Sequence, residues 1–363
     1  MYIAARALGP GVFVAKIHGS DVEYAVRQQR RYRDLASEGL EASRAVLGPS
    51  RDVLDRIVEF VPAVADRRRI VPPGVDTHRF RPVPRRRALR EAARLLARDP
   101  ERPRGRPTGL DATVAQALKQ RDGEALDRLG LEYDQEAPDP DAPRRLRSLA
   151  EFRGPVIGYL GKLIPEKGVE LAVQAMATIP QSRGLIIGFG RFREWLVALS
   201  LALDDHDSDA VEWLASASPM QIEPGSAIDG PARTRPTFTG RLDHRYAPLA
   251  TTAADVLVVP STLPEAFGMV AAEGAAAGAL PVVARHSGLA EVAAALETHV
   301  GRPGAFGFDP GPGAVGRLIE TVSALVTAPA EERAELRAAV RAFVASEWSW
   351  ERCAERTLEA ATG

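Results

Sequence analysis

The chain has one cysteine in 363 residues, Cys353, so no intramolecular disulfide and no cysteine-based metal cluster can form. That scarcity suits a reducing compartment and gives redox chemistry no support. No apolar stretch approaches the roughly 18 residues that span a bilayer, and "MYIAARALGPGVFVAKIHG" is too broken for a signal peptide. A cytoplasmic location, extending to the inner face of the membrane, is the expectation. Aromatic residues make up only 6%. The basic runs come with no recognised motif or aromatic platform, which argues against a nucleic-acid partner. Net charge is −1, yet residues 1–150 hold 29 Lys/Arg against 22 Asp/Glu, and residues 151–363 hold 18 against 26. "RQQRRYR" (27–33), "RRR" (67–69) and "PRRR" (84–87) could face an anionic acceptor or a membrane surface, or be solvated helix faces.

What is present is the balance of a globular protein of about two domains, with 45% hydrophobic and 26% charged residues. A Pro/Arg/Asp-rich stretch over 83–150, containing "RDPERPRGRPTG" and "QEAPDPDAPRR" around helical patterns, reads as an insertion or linker. It separates a domain over 1–82 from one over 151–345. After it, short apolar runs alternate with amphipathic helices. The runs are "PVIGYLG" (155–161), "GLIIGFG" (184–190), "ADVLVVPS" (254–261) and "LPVVAR" (280–285), with helices near 168–178, from about 191, and near 268–277. That alternation predicts an α/β fold of βαβ units and a parallel sheet. In such sheets ligands bind beyond the carboxyl ends of the strands.

Those ends are chemically coherent. "GKLIPEKG" (161–168) carries Lys162 and Lys167 five apart across a loop, a pair that could clamp a diphosphate or merely be solvated. "GFGRFREWL" (188–196) is a strand, a Gly-x-Gly turn and a helix start, which offers backbone N–H groups to an anion. The third glycine of the dinucleotide fingerprint is missing, because position 193 is arginine. "PEAFGMVAAEGAAAG" (264–278) places Glu265 in a loop and Glu273 about one turn inside the following helix. Phe267, Gly268 and Met269 would present N–H groups at the helix start, where anions are favoured. A carboxylate is an acceptor suited to paired sugar hydroxyls, so the two glutamates read as holders of different parts of one ligand. The alternative is a helix-dipole glutamate and an exposed one. "DDHDSD" (204–209) reads as a solvated loop and no metal is expected, since hard-cation loops need ligands at defined spacing with a turn glycine.

Residues 154–363 resemble the GT-B glycosyltransferases that use nucleotide-sugar donors with retention of configuration, the family 4-like group with a Glu-x7-Glu motif. "GYLGKLIPEKG", "LIIGFG", "FTGRLDHRYAPLATTAADVLVVPSTLPEAFGMVAAEGAAAGALPVVARHSGLAEV" and "WSWERCAER" follow that family's order and spacing. The resemblance implies two Rossmann-like domains facing a cleft, with a helix over 346–363 crossing back to the first. It implies that Lys162 and Lys167 meet the donor diphosphate and that Gly161 and Gly190 line the donor site. Glu265 would hold the transferred sugar beside Phe267, Gly268 and Met269, Glu273 the ribose, and Gly240, Arg241 and Leu242 the base. "VFVAKIHGSD" (12–21) looks like the strand that ends in the family's histidine at the donor sugar, here His18, with Asp21 equally suited to a helix cap. "RRIVPPGVDTHRFRP" (69–82) resembles the segment that closes the first domain.

The implied function is transfer of a hexosyl group from a UDP-, GDP- or ADP-hexose to a sugar, lipid-linked or small-molecule acceptor in carbohydrate biosynthesis, with no cofactor. No side chain is assigned as nucleophile, and the carboxylate-separation rule of glycoside hydrolases does not transfer. The family's Gly-rich loop ahead of the histidine does not occur in this sequence, so a truncated first domain is the expectation, and a non-catalytic nucleotide-sugar binder is the alternative. A nicotinamide oxidoreductase would need an acidic residue after the strand following "GFG", and that span holds "DDHDSDAVEW" instead.

Overall fold

The computed structural model describes residues 1–19, 26–99, 105–133, 136–223 and 235–362; Asp21 lies outside them. Two parallel sheets are present. The first has three strands in the order β1 (Ala15–Lys16), β2 (Val46–Gly48), β3 (Arg68–Ile70). The second comprises β4 (Val156–Leu160), β5 (Arg183–Ile187), β6 (Thr237–Phe238), β7 (Val256–Val259), β8 (Leu280–Ala284) and β9 (Gly307–Phe308). Its order is β6-β5-β4-β7-β8-β9, all parallel, the doubly wound arrangement in which strand order reverses between β4 and β7.

Strands β4, β5, β7 and β8 are almost wholly buried, which is why they read as unbroken apolar runs. One face of their sheet packs on the helices Val169–Thr178, Arg193–Asp204 and Ala314–Thr327, whose side chains form one large core with Ile157, Val256 and Val282. The stretch 83–150 folds into helices Arg85–Arg98, Leu110–Gln120, Gly123–Glu132 and Ala142–Ala150. Leu89, Ala93, Leu96, Leu146 and Leu149 of that stretch cover Val156, Leu185 and Ile187 of the sheet. Its basic run docks it further, since Arg85 pairs with Asp255, and Arg86 and Arg90 with Glu151. A buried bridge, Arg106 Nε to Glu194 Oε1 at 2.8 Å, ties it to helix Arg193–Asp204. Asp207 of the "DDHDSD" stretch accepts from Ala210 N at 2.9 Å and so caps helix Ser208–Ala217.

Several contacts link the two sheets among the described residues. Val75 N donates to Trp348 O at 2.8 Å, where the chain returns from the second sheet. Helix Trp350–Thr362 then buries Cys353 against Ala45, Leu47 and Val71 of the first sheet. Across the other side, Glu291 of helix Ser287–Val300 accepts from Arg51 N and Asp52 N, both at 2.9 Å, at the start of helix Arg51–Phe60. Among the described residues no helix is long and apolar enough to cross a membrane.

Candidate functional site

Two adjoining cavities lie between the sheets, at the carboxyl ends of β4 and β7. The inner one, about 280 Å³, is lined by His18, Tyr159, Gly161, Lys167, Ser261, Glu265 and the start of helix Met269–Ala276. The outer one, about 440 Å³, shares His18, Lys167 and Glu265 with it and adds Gly19, Arg56 and Glu166. The first sheet contributes His18, Pro49 and Pro73 as a wall. The halves touch here closely, for a Cβ on Gly19 would stand 2.8 Å from that of Ala266.

Glu265 is the hub. Its carboxylate pairs with Lys167 and accepts from Ser261 Oγ at 2.6 Å. Its backbone is gripped from the β8 side, with Glu265 N donating to Ser287 Oγ at 2.9 Å and Gly288 N donating to Glu265 O at 3.0 Å. Ser287 sits at φ 48, a left-handed conformation unusual for a residue with a side chain. His286 supports both serines: its Nε2 lies 2.6 Å from Ser261 O and its Nδ1 3.1 Å from Ser287 Oγ. A carbonyl only accepts, so the proton is on Nε2 and Nδ1 is the acceptor in neutral imidazole.

Gly268, at φ 99, turns the chain into helix Met269–Ala276, whose first turn lines the inner cavity with Gly268, Met269 and Val270. Phe267 lines the cavity with a buried ring set edge-on to Trp348 at 5.1 Å, so the crossing segment braces the loop. One turn further in, Glu273 lines neither cavity, and burial pushes its carboxyl up to about 7. Burial likewise pushes Glu170 to about 7; it accepts from Gln221 N at 3.0 Å, and its other oxygen has no partner among the described residues.

The structure therefore brings together His18, Gly161, Lys167, Glu265, Phe267, Gly268 and Met269 around one space. Lys162 stands apart. Its side chain is exposed and lines neither cavity, and Tyr159 OH donates to its carbonyl at 2.7 Å, fixing the turn. Burial holds the Tyr159 hydroxyl well above its ordinary pKa, with the Glu265 charge adding to it. Gly190 is a packing position, since a Cβ there would stand 2.2 Å from Leu163 O. Leu242 is buried among the helices of the 83–150 stretch, and Arg241 is exposed, bound to Glu136 at 2.8 Å. Tyr159, Ser261, His286 and Ser287 were missed by sequence reasoning. Ser261, His286 and Ser287 follow apolar strands, so the carboxyl-end rule reaches them; Tyr159, inside its run, carries no such signal.

Residues 232–342 match the family model described as "Glycosyl transferases group 1". The chain is 27% identical over 252 residues to a D-inositol 3-phosphate glycosyltransferase of Xylanimonas cellulosilytica, covering 69% of this chain and 43% of that protein. It is 30% identical over 224 residues to a 2-deoxystreptamine glucosyltransferase of Streptomyces kanamyceticus, covering 59% and 49%. The chain thus spans about half the length of the curated relatives it matches. Among solved structures, Anabaena HepE in complex with UDP-glucose superposes with a TM-score of 0.57 at 17% identity, over 99% of this chain and 74% of that one. The doubly wound second sheet and the shared architecture give this chain the GT-B fold, and its segment 232–342, which carries Glu265 and Glu273, is similar to the group 1 glycosyltransferases.

Proposed function

We propose that the chain transfers a hexosyl group from a nucleotide-sugar to an acceptor hydroxyl with retention of configuration. The observation that carries this reading is the convergence of Lys167, Glu265 and the start of helix Met269–Ala276 on one cavity walled by His18. A cation and a helix N-terminus at the same spot suit a diphosphate, whose charge grows as the glycosidic bond breaks. Glu265, already acting as an acceptor, suits the sugar hydroxyls, and Glu273 the ribose. In this division residues 151–345 hold the donor, residues 1–82 face sugar and acceptor, and 83–150 belong with the donor half through its packing.

The chemistry is a same-face displacement. The bond from the sugar's anomeric carbon to the phosphate oxygen breaks, the acceptor oxygen bonds to that carbon, and the acceptor's proton passes to the departing phosphate oxygen. The chain's own part is to orient the sugar through Glu265 and His18 and to neutralise the leaving group through Lys167 and the helix start. The larger cavity, about 440 Å³, leaves room for a sugar, lipid-linked or small-molecule acceptor. The test is transfer from an α-linked nucleotide-hexose with the product's anomeric configuration read by proton NMR. An α-linked product is expected, and a β-linked one overturns retention. Failure of every nucleoside diphosphate to bind in calorimetry overturns the donor assignment itself.

A further inference from the structure

The segment between helices Gly123–Glu132 and Ala142–Ala150 runs along the carboxyl ends of the second sheet. Arg241 N donates to Ala137 O at 3.0 Å and Asp139 N to Thr239 O at 2.8 Å, with Pro138 and Gly240 facing in an antiparallel bridge. Gly240 has φ 73, and a Cβ there would stand 2.6 Å from Ala137 O, so this approach requires glycine. Gly188 N donates to Gly240 O at 3.1 Å, and Leu163 N to Phe189 O at 2.7 Å. The loops after β4, β5 and β6 and the 136–139 segment are therefore one hydrogen-bonded ledge beside the cavities.

Three side chains define its open edge. Phe189 is half-buried, the Arg241 guanidinium lies 5.7 Å from its ring centroid, and Arg241 Nη1 is 2.8 Å from Glu136 Oε2. The ion pair is solvent-facing, with side chains 44% and 62% exposed. A nucleotide whose phosphates sit at Lys167 and the start of helix Met269–Ala276 has room to extend along the sheet toward β5 and β6. Toward β8 the backbone is packed shut, since a Cβ on Gly288 would stand 2.4 Å from Ala266 O. Toward β5 and β6 lies the ledge.

We propose that Phe189, Arg241 and Glu136 form the base-reading edge of the donor site, and that Glu136, supplied by the 83–150 stretch, selects guanine. This rests on the nucleotide-sugar reading above. Guanine presents two adjacent donors, N1–H and the N2 amine, which match the two oxygens of one carboxylate, while its O6 and N7 match an arginine. Uracil offers a single donor between two carbonyls. Adenine sets the lone pair of N1 beside its amine, facing the carboxylate unfavourably. Phe189 supplies an apolar face for any base.

The test is calorimetry of GDP, UDP and ADP against the full chain and its Glu136→Ala, Glu136→Gln and Phe189→Ala variants. Glu136 is exposed, so its variants leave the core intact. Removing it also frees Arg241, which affects all three diphosphates alike, so the GDP-to-UDP affinity ratio is the readout. The wild-type ratio is expected at about tenfold or more, falling to about unity in Glu136→Ala and between the two in Glu136→Gln, as loss of a charge-assisted bond requires. Phe189→Ala should weaken all three together. A ratio unchanged by Glu136→Ala, or a wild-type preference for UDP or ADP, overturns the inference while leaving the donor site standing. A wild type that binds none of the three overturns both.

Discussion

The two halves are built from the same kind of parallel unit and differ in depth. The first sheet has strands of two or three residues over the small cluster around Val46, Val53 and Ile57. The second has four buried strands of four or five residues between two large layers. Lys167 and Glu265 sit on the deep half, in the loops after its buried strands, and the shallow half supplies a wall bearing His18. A fixed anion site needs loops held to fractions of an ångström, and that rigidity comes from packed strands behind them.

The largest expected effect breaks the deep half. Glu194→Ala would leave Arg106, whose side chain is 1% exposed, with the half-exposed Asp111 as its remaining ion-pair partner among the described residues, and should cost about 3–5 kcal/mol in urea unfolding. A loss below about 1 kcal/mol would show that the 83–150 stretch is only loosely attached. Next comes Glu273→Gln, which should weaken nucleoside diphosphate binding by about 1.5–3 kcal/mol at pH 8 by calorimetry.

The same residue carries a pH signature. Its folded pKa of about 7 lies above the unfolded value, so the folded state holds the proton more tightly. The stability it contributes is present in full at low pH and is lost as pH rises toward about 7. Glu170, also near 7, adds a second slope of the same sign, so Glu273→Gln should flatten, without abolishing, the fall in stability toward pH 7. Nucleotide affinity should run the opposite way, rising through pH 7 in the wild type as the carboxylate forms, and staying level in the variant.

A smaller pair of effects separates Lys167 from Glu265. Lys167→Ala should reduce diphosphate affinity about tenfold and leave the nucleoside unaffected, since a single charge-assisted contact is lost. Glu265→Gln should keep or slightly strengthen diphosphate binding, because the lysine loses its competing partner, while turnover of the nucleotide-sugar falls. Identical profiles would defeat the division of labour. The smallest effect belongs to the junction: Glu291→Ala removes a carboxylate from a helix N-terminus and should cost about 0.5–2 kcal/mol, with nucleotide affinity unchanged. A melt of the first half that does not shift would count against the strut.

How much of this was legible depended on strand length and on side-chain direction. β4, β5, β7 and β8 announce themselves as apolar runs because both faces are covered. β6 and β9, two residues each, are too short to show any period, and β1 occupies only Ala15–Lys16 of a longer apolar stretch. Glu265 was visible from its place after β7. The direction of Lys162 was not, because it is set by the Tyr159 hydroxyl holding that turn from inside the core. The role of 136–139 was equally hidden, since composition marks that stretch as Pro-rich and says nothing of the Thr239–Arg241 backbone it would meet.

Glu291 reaches from one half to the other with both oxygens on consecutive N–H groups. Such a two-point grip tolerates one separation and one tilt, so any rotation of the halves about the Val75–Trp348 link must release both bonds together. The Glu291 carboxylate is thereby a detent between the halves, holding the cleft at one gape.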